Sequence, residues 1–126
     1  MIIQLNHNSG IPVFKQVIEQ VTFFISAGII KPGQELPSVR NLAEELGVNR
    51  MTISKAYGFL EHDRLLIRRP GKSLIVRELA EEELARNRRQ HLEKALSPAL
   101  HLARQLGCKS EELTEIVRNL YQGETP

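Results

Sequence analysis

The residues with the most chemical promise crowd one short stretch. Asn49, Arg50, Met51, Thr52, Ser54 and Lys55 follow directly on Gly47-Val48. An arginine offers a planar fork that fits the O6 and N7 acceptors of guanine, and an asparagine amide fits the matching edge of adenine. Met51 or the Thr52 methyl suits a thymine methyl. The Thr52 hydroxyl, the Lys55 ammonium and backbone N–H groups at a helix start suit phosphate oxygens, and Ser54 faces the same groove one turn on. None of these is telling alone. A lone arginine on a helix is usually a solvated charge, and Asn49 serves equally well as a helix cap, which would engage its side chain. Position just past a tight turn is what raises Arg50 above that background.

These side chains act together only if a helix presents them. Apolar residues at three- and four-residue steps mark where helices fall. Val13, Phe14, Val17, Ile18, Val21, Phe24 and Ile25 follow Pro12, whose missing N–H is harmless in a helix's first turn; Gly28 and Pro32-Gly33 close that helix. Ser38 caps a short second helix with Val39, Leu42, Ala43 and Leu46 inward, and Gly47 ends it in the left-handed conformation. Asn49 caps a third, with Ile53, Ala56, Tyr57 and Leu60 inward. Two helices about a tight glycine turn make a helix-turn-helix. In that motif the second helix enters the major groove leading turn first, and the first crosses the backbone, which gives Arg40 a phosphate.

Beyond Asp63 the period shortens. Leu65–Arg69 and Ser73–Arg77 read as strands around Pro70-Gly71-Lys72, a hairpin wing. Gly71 permits close backbone approach at the tip, and Lys72 adds a cation. Arg68 and Arg69 are adjacent on a strand and face opposite ways, so at most one of them meets DNA. Arg64 and Arg77 read as ordinary surface charges. The net charge is only +2, yet from Arg40 to Arg77 the basic residues outnumber the acidic ones, Glu44, Glu45, Glu61 and Asp63. Such a localised field suits an anionic partner and describes a solvated face equally well.

From Leu79 the chain is helical and charged. Leu92, Leu96, Ala99, Ala103 and Leu106 alternate steps of four and three, the spacing of a packing seam. Ser97-Pro98 predicts a bend. Gly107 stops this helix, and Ser110 caps a last one with Leu113, Ile116, Val117 and Leu120 inward. Two such helices cannot bury both apolar faces against each other, so Leu92, Leu96, Leu100, Leu106 and Leu113 need further surface. A second copy supplies it; the alternative is packing onto the winged part. The expected fold is therefore mainly α with a small β-hairpin wing. A winged helix-turn-helix covers residues 1–77 and a helical dimerisation tail covers 78–126.

Other chemistry finds little support. His7, His62, His91 and His101 have no metal-ligand spacing, Cys108 stands alone, and no nucleophile elbow or phosphate loop is present. No enzyme and no cofactor is expected. The start lacks a basic region followed by a long apolar one, and no apolar run reaches the roughly 20 residues of a membrane span, so a cytoplasmic protein without membrane contact is expected.

Residues 11–77 resemble the GntR family of bacterial regulators. Pro12-Val13-Phe14-Lys15-Gln16-Val17 is similar to the family's opening helix, and Gly28 through Ala43 to its most distinctive segment. Asn49 through Tyr57 match the recognition helix, and Leu65 through Val76 the wing. The resemblance implies a homodimer on an inverted-repeat operator, with DNA contacts at Arg40, Arg50, Thr52 and Gly71. Two positions depart from the pattern. Arg64 stands where the family often has glycine, and the tip reads Pro70-Gly71-Lys72-Ser73 where Gly-x-Gly is common. The short tail is similar to that of the YtrA-type subfamily, which implies repression, often of an ABC-transporter operon, with or without a small-molecule effector. A winged helix that binds protein instead of DNA is the other reading the sequence leaves open.

Overall fold

The computed structural model describes residues 1–123. Its elements run α1 (Val13–Ser26), α2 (Val39–Leu46), α3 (Arg50–His62), β1 (Leu66–Ile67), β2 (Ile75–Val76), α4 (Glu81–Gln105) and α5 (Ser110–Tyr121). Two compact units form, one from Met1 to Arg88 and one from Arg89 on, so the start of α4 belongs with the wing.

Local chemistry sets the helix ends of the first unit. Beyond α1, the N–H groups of Ile29 and Ile30 both return to the Phe24 carbonyl, at 2.8 and 3.1 Å. Ser38 Oγ accepts from the Asn41 N–H at 3.0 Å to start α2, and Gly47 ends it at φ 67°. Helix α3 packs on α1, α2 and β1. Val17, Val21, Leu42, Ala43, Ile53, Ala56, Tyr57, Leu60, Leu66 and Val76 meet in the core at 2% exposure or less. Each large aliphatic side chain among them stabilises the fold by roughly 1.5–3 kcal/mol. Gln16 is a buried polar exception. Its amide bonds the backbone of Asn6 and Ile11, fastening the extended N-terminus to α1.

The wing differs from expectation. Only Leu66 with Val76 and Ile67 with Ile75 pair as strands, antiparallel, so the strands are shorter than the sequence pattern suggests. A third segment takes the free edge of β2. Glu35 bridges Ile75, Leu36 N–H donates to Leu74 O at 2.9 Å, and Val76 N–H donates to Gln34 O at 3.0 Å. That segment is too short to show an alternation of its own.

Arg77 is no ordinary surface charge. Its Nε donates to the carbonyl of Arg64 and its Nη2 to Glu83 Oε2 at 2.6 Å. The other Glu83 oxygen accepts from the Ala80 N–H at 3.2 Å, a reach-back that caps the start of α4. The Arg77 hydrogen bond, then the one from Ala80, holds the Glu83 carboxyl below the usual carboxylate range.

In the second unit α4 runs through Pro98 to Gln105 as one helix. Gly107, at φ 72°, ends it with the Cys108 N–H on Ala103 O at 2.9 Å. Ser110, expected as a cap, is the first residue of α5, preceded by Lys109, whose side chain makes no capping bond. Among the described residues of this unit only Ala103 is buried. Leu113 is half-buried, while Leu92, Leu96, Ala99, Leu100 and Leu106 are exposed, Leu106 at 75%.

Candidate nucleic-acid interface

The burial of α3 is one-sided, and its leading turn stands outside the core. Arg50, Ser54 and Lys55 are exposed, Met51 is 78% exposed and Thr52 is half-buried, opposite the buried Ile53, Ala56, Tyr57 and Leu60. Tyr57 fixes this orientation. Its hydroxyl donates to the Pro37 carbonyl at 2.8 Å, tying α3 to the segment that starts α2. Burial, with a smaller contribution from Glu45, pushes the Tyr57 phenol far above its ordinary range, so it stays a neutral donor.

Asn49 caps α3, its Oδ1 accepting from the Met51 N–H at 2.7 Å. The oxygen that a two-point contact with adenine would use is thus already engaged. Arg40 projects from α2 and pairs with Glu44 at 3.3 Å across one helical turn. Exposed pairs of this kind contribute little, so a phosphate can displace the glutamate readily. At the wing tip Gly71 takes φ 66° and Lys72 is exposed. Pro37, Ser38, Gly71 and Lys72 line one depression between the wing and the start of α2. Arg68 and Arg69 lie beyond the short β1, so they do not alternate across a strand as expected. Both line this same depression, each paired with a carboxylate, Arg68 with Glu61 at 3.2 Å and Arg69 with Glu35 at 2.8 Å.

One neighbour of the reading helix is not apparent from sequence spacing. Phe14 belongs to the apolar stripe of α1, yet it is only half-buried and lines a second depression with Met51, Thr52, Ser54 and Lys55. The Lys55 Nζ lies 3.9 Å from the centroid of the Phe14 ring, and that ring stacks on Phe59 with centroids 6.0 Å apart. Periodicity within a helix carries no information about a contact between α1 and α3. Among the described residues no helix is long and apolar enough to cross a membrane.

A helix-turn-helix with an exposed leading turn on its second helix, followed by an antiparallel hairpin, defines the winged-helix class of DNA-binding regulators. Within that class, residues 14–76 match the model of the bacterial regulatory proteins of the gntR family. The HTH-type transcriptional repressor YtrA of Bacillus subtilis (strain 168) is 31% identical over 118 residues, 94% of this chain and 91% of that protein. The chain therefore belongs to the gntR family of bacterial regulatory proteins. A GntR family transcriptional regulator from Listeria monocytogenes shares the fold with a TM-score of 0.77 at 24% identity, over 89% of this chain and 97% of that one. The DNA-binding domain of AraR, solved in complex with operator ORE1, aligns at 33% identity and TM-score 0.51, over 60% of this chain and 93% of its own. These relatives and this fold are those of transcription regulators, not of enzymes.

Proposed function

We propose that the protein is a cytoplasmic homodimeric repressor that reads an inverted-repeat operator through residues 1–77 and pairs through residues 78–126. The observation that carries the reading is the leading turn of α3, held out of the core on a frame locked by Tyr57 and Pro37. The operator complex of the AraR domain supports a DNA partner. The name of the Bacillus relative supports repression, and the subfamily resemblance points to an ABC-transporter operon as target.

In this reading Arg50 forks onto guanine and Met51 meets a thymine methyl. Arg40, Thr52, Ser54 and Lys55 hold phosphates, and Gly71 with Lys72 brings the wing to the neighbouring groove. Asn49 sets the start of the helix. Leu92, Leu96, Ala99, Leu100, Leu106 and Leu113 supply the pairing surface, supported by the leucines that α4 leaves exposed; Ala103, expected in this seam, is already buried within the chain.

Selection of bound DNA from random fragments, followed by titration at several salt concentrations, tests the reading. Affinity should fall with a log–log slope near −0.9 per neutralised phosphate, and the selected motif should be an inverted repeat. Arg50→Ala should cost about 1–3 kcal/mol and relax one base pair per half-site, whereas Arg40→Ala should weaken all sequences alike. A protein that selects no motif and shows no salt-dependent affinity is instead a protein-binding winged helix.

A further inference from the structure

We propose that Phe14, which lies outside the helix-turn-helix, is the positioning residue that aims Lys55 at a DNA phosphate. The proposal rests on the regulator reading above and names a determinant of affinity within it.

The observation is how differently the cations of this surface are held. Arg40, Arg68, Arg69 and Arg77 each pair with a glutamate. Arg50, Lys72 and Lys55 make no such pair among the described residues, and of these three Lys55 rests its ammonium on the face of Phe14, 3.9 Å from the ring centroid. An aromatic face attracts a cation through its quadrupole but takes none of the ammonium hydrogens as a carboxylate would. A phosphate can therefore approach Lys55 from the open side without displacing an anion. For Arg40 the glutamate must leave first.

The ring is itself fixed. Phe14 sits in the first turn of α1, two residues after Pro12, and stacks on Phe59 of the reading helix at 24° between planes. A lysine stem is long and flexible, and a phosphate contact normally has to order it on binding. Here the ordering precedes DNA, on the same wall that carries Met51, Thr52 and Ser54. Since a phosphate carries no base identity, Phe14 governs affinity without governing sequence choice.

A double-mutant cycle on the selected operator, read by fluorescence anisotropy with the full chain, tests this. Phe14→Leu should weaken binding about two- to fivefold, by the same factor on every single-base variant of the site. Phe14→Tyr should bind like the unmodified protein, because its ring face remains. Lys55→Ala should lower the salt slope by about 0.9. In the Lys55→Ala background, Phe14→Leu should cost nothing further. If the leucine variant unfolds below the assay temperature, Phe14→Met takes its place in the cycle. A Phe14 loss that persists undiminished without Lys55 would overturn the proposal, as would a tyrosine variant as weak as the leucine one. Absence of DNA binding by the unmodified protein would instead sink the regulator reading.

Discussion

The two units of this chain solve the problem of apolar surface in opposite ways. From Met1 to Arg88 the large aliphatic residues converge, and Val17, Val21, Ile53 and Leu60 are sealed at 0% exposure. From Arg89 on, Ala103 alone is buried among the described residues, while Leu92, Leu96, Leu100, Leu102 and Leu106 stand at 42% exposure or more. The first unit closes its core within one chain, and the most exposed apolar side chain on α3, Met51, sits in the reading turn. The second unit displays a row of leucines that monomeric surfaces seldom carry together. The reading turn is thus a product of a closed core, whereas the leucines of the second unit remain uncovered within one chain.

The contrast breaks most visibly at Leu96. A charge in the middle of the seam, Leu96→Asp, should dissociate the homodimer, because a buried unpaired carboxylate is costly. Each half-site alone then holds the protein only weakly. Operator affinity should fall toward the non-specific range, roughly a thousandfold or about 4 kcal/mol. The melting of the winged unit should not change. Sedimentation and anisotropy together check this, and a variant that remains dimeric would show that these leucines are not the seam.

The complementary test lies in the sealed unit. Leu60 lies on the inner face of α3 at 0% exposure. Leu60→Ala should cost around 3 kcal/mol of folding stability, within the range seen when a buried leucine is truncated. Urea unfolding of the winged unit should give that loss unchanged over a wide range of protein concentration, since no second copy is involved. For the tail, by contrast, stability should rise with concentration. A concentration-dependent Leu60→Ala effect would mean that the winged unit is not self-contained.

The same division explains what the sequence reveals. Ser38, Gly47 and Asn49 act on backbone groups within a few residues, so the helix-turn-helix and its leading turn can be read directly from the chain. The apolar row of α4 is equally legible as a spacing, but no local period says what covers it. Hidden as well are the contacts between distant segments: Lys55 on Phe14, Arg69 on Glu35, and the bridge from Glu35 to Ile75. Each depends on how elements pack, which no local period encodes. Arg77 misleads for a related reason. Its partners, the Arg64 carbonyl and Glu83, come together only after the hairpin closes.

The smallest expected effect concerns Arg64, and it sharpens the picture of a winged unit complete in itself. After α3 the Arg64 N–H bonds the Glu61 carbonyl at 3.0 Å and the Leu65 N–H bonds the Leu60 carbonyl at 2.9 Å. Arg64 sits between them at φ 62°, the only left-handed residue other than glycine among those described. This is the helix-ending motif that usually employs glycine, and it is where the chain departs from its family's pattern. Holding a side chain in that region costs roughly 1–2 kcal/mol, while glycine loses about 0.4–1 kcal/mol more chain entropy on folding. The two oppose each other, so Arg64→Gly should stabilise the winged unit by about 0.5–1 kcal/mol. Arg64→Ala removes the guanidinium and keeps the strain, and should stabilise nothing. If alanine gains as much as glycine in urea unfolding, the gain comes from removing a charge and the turn carries no strain. If only glycine gains, the turn that leads from the reading helix into the wing is held by the packing around it, at a small cost that the sealed core covers.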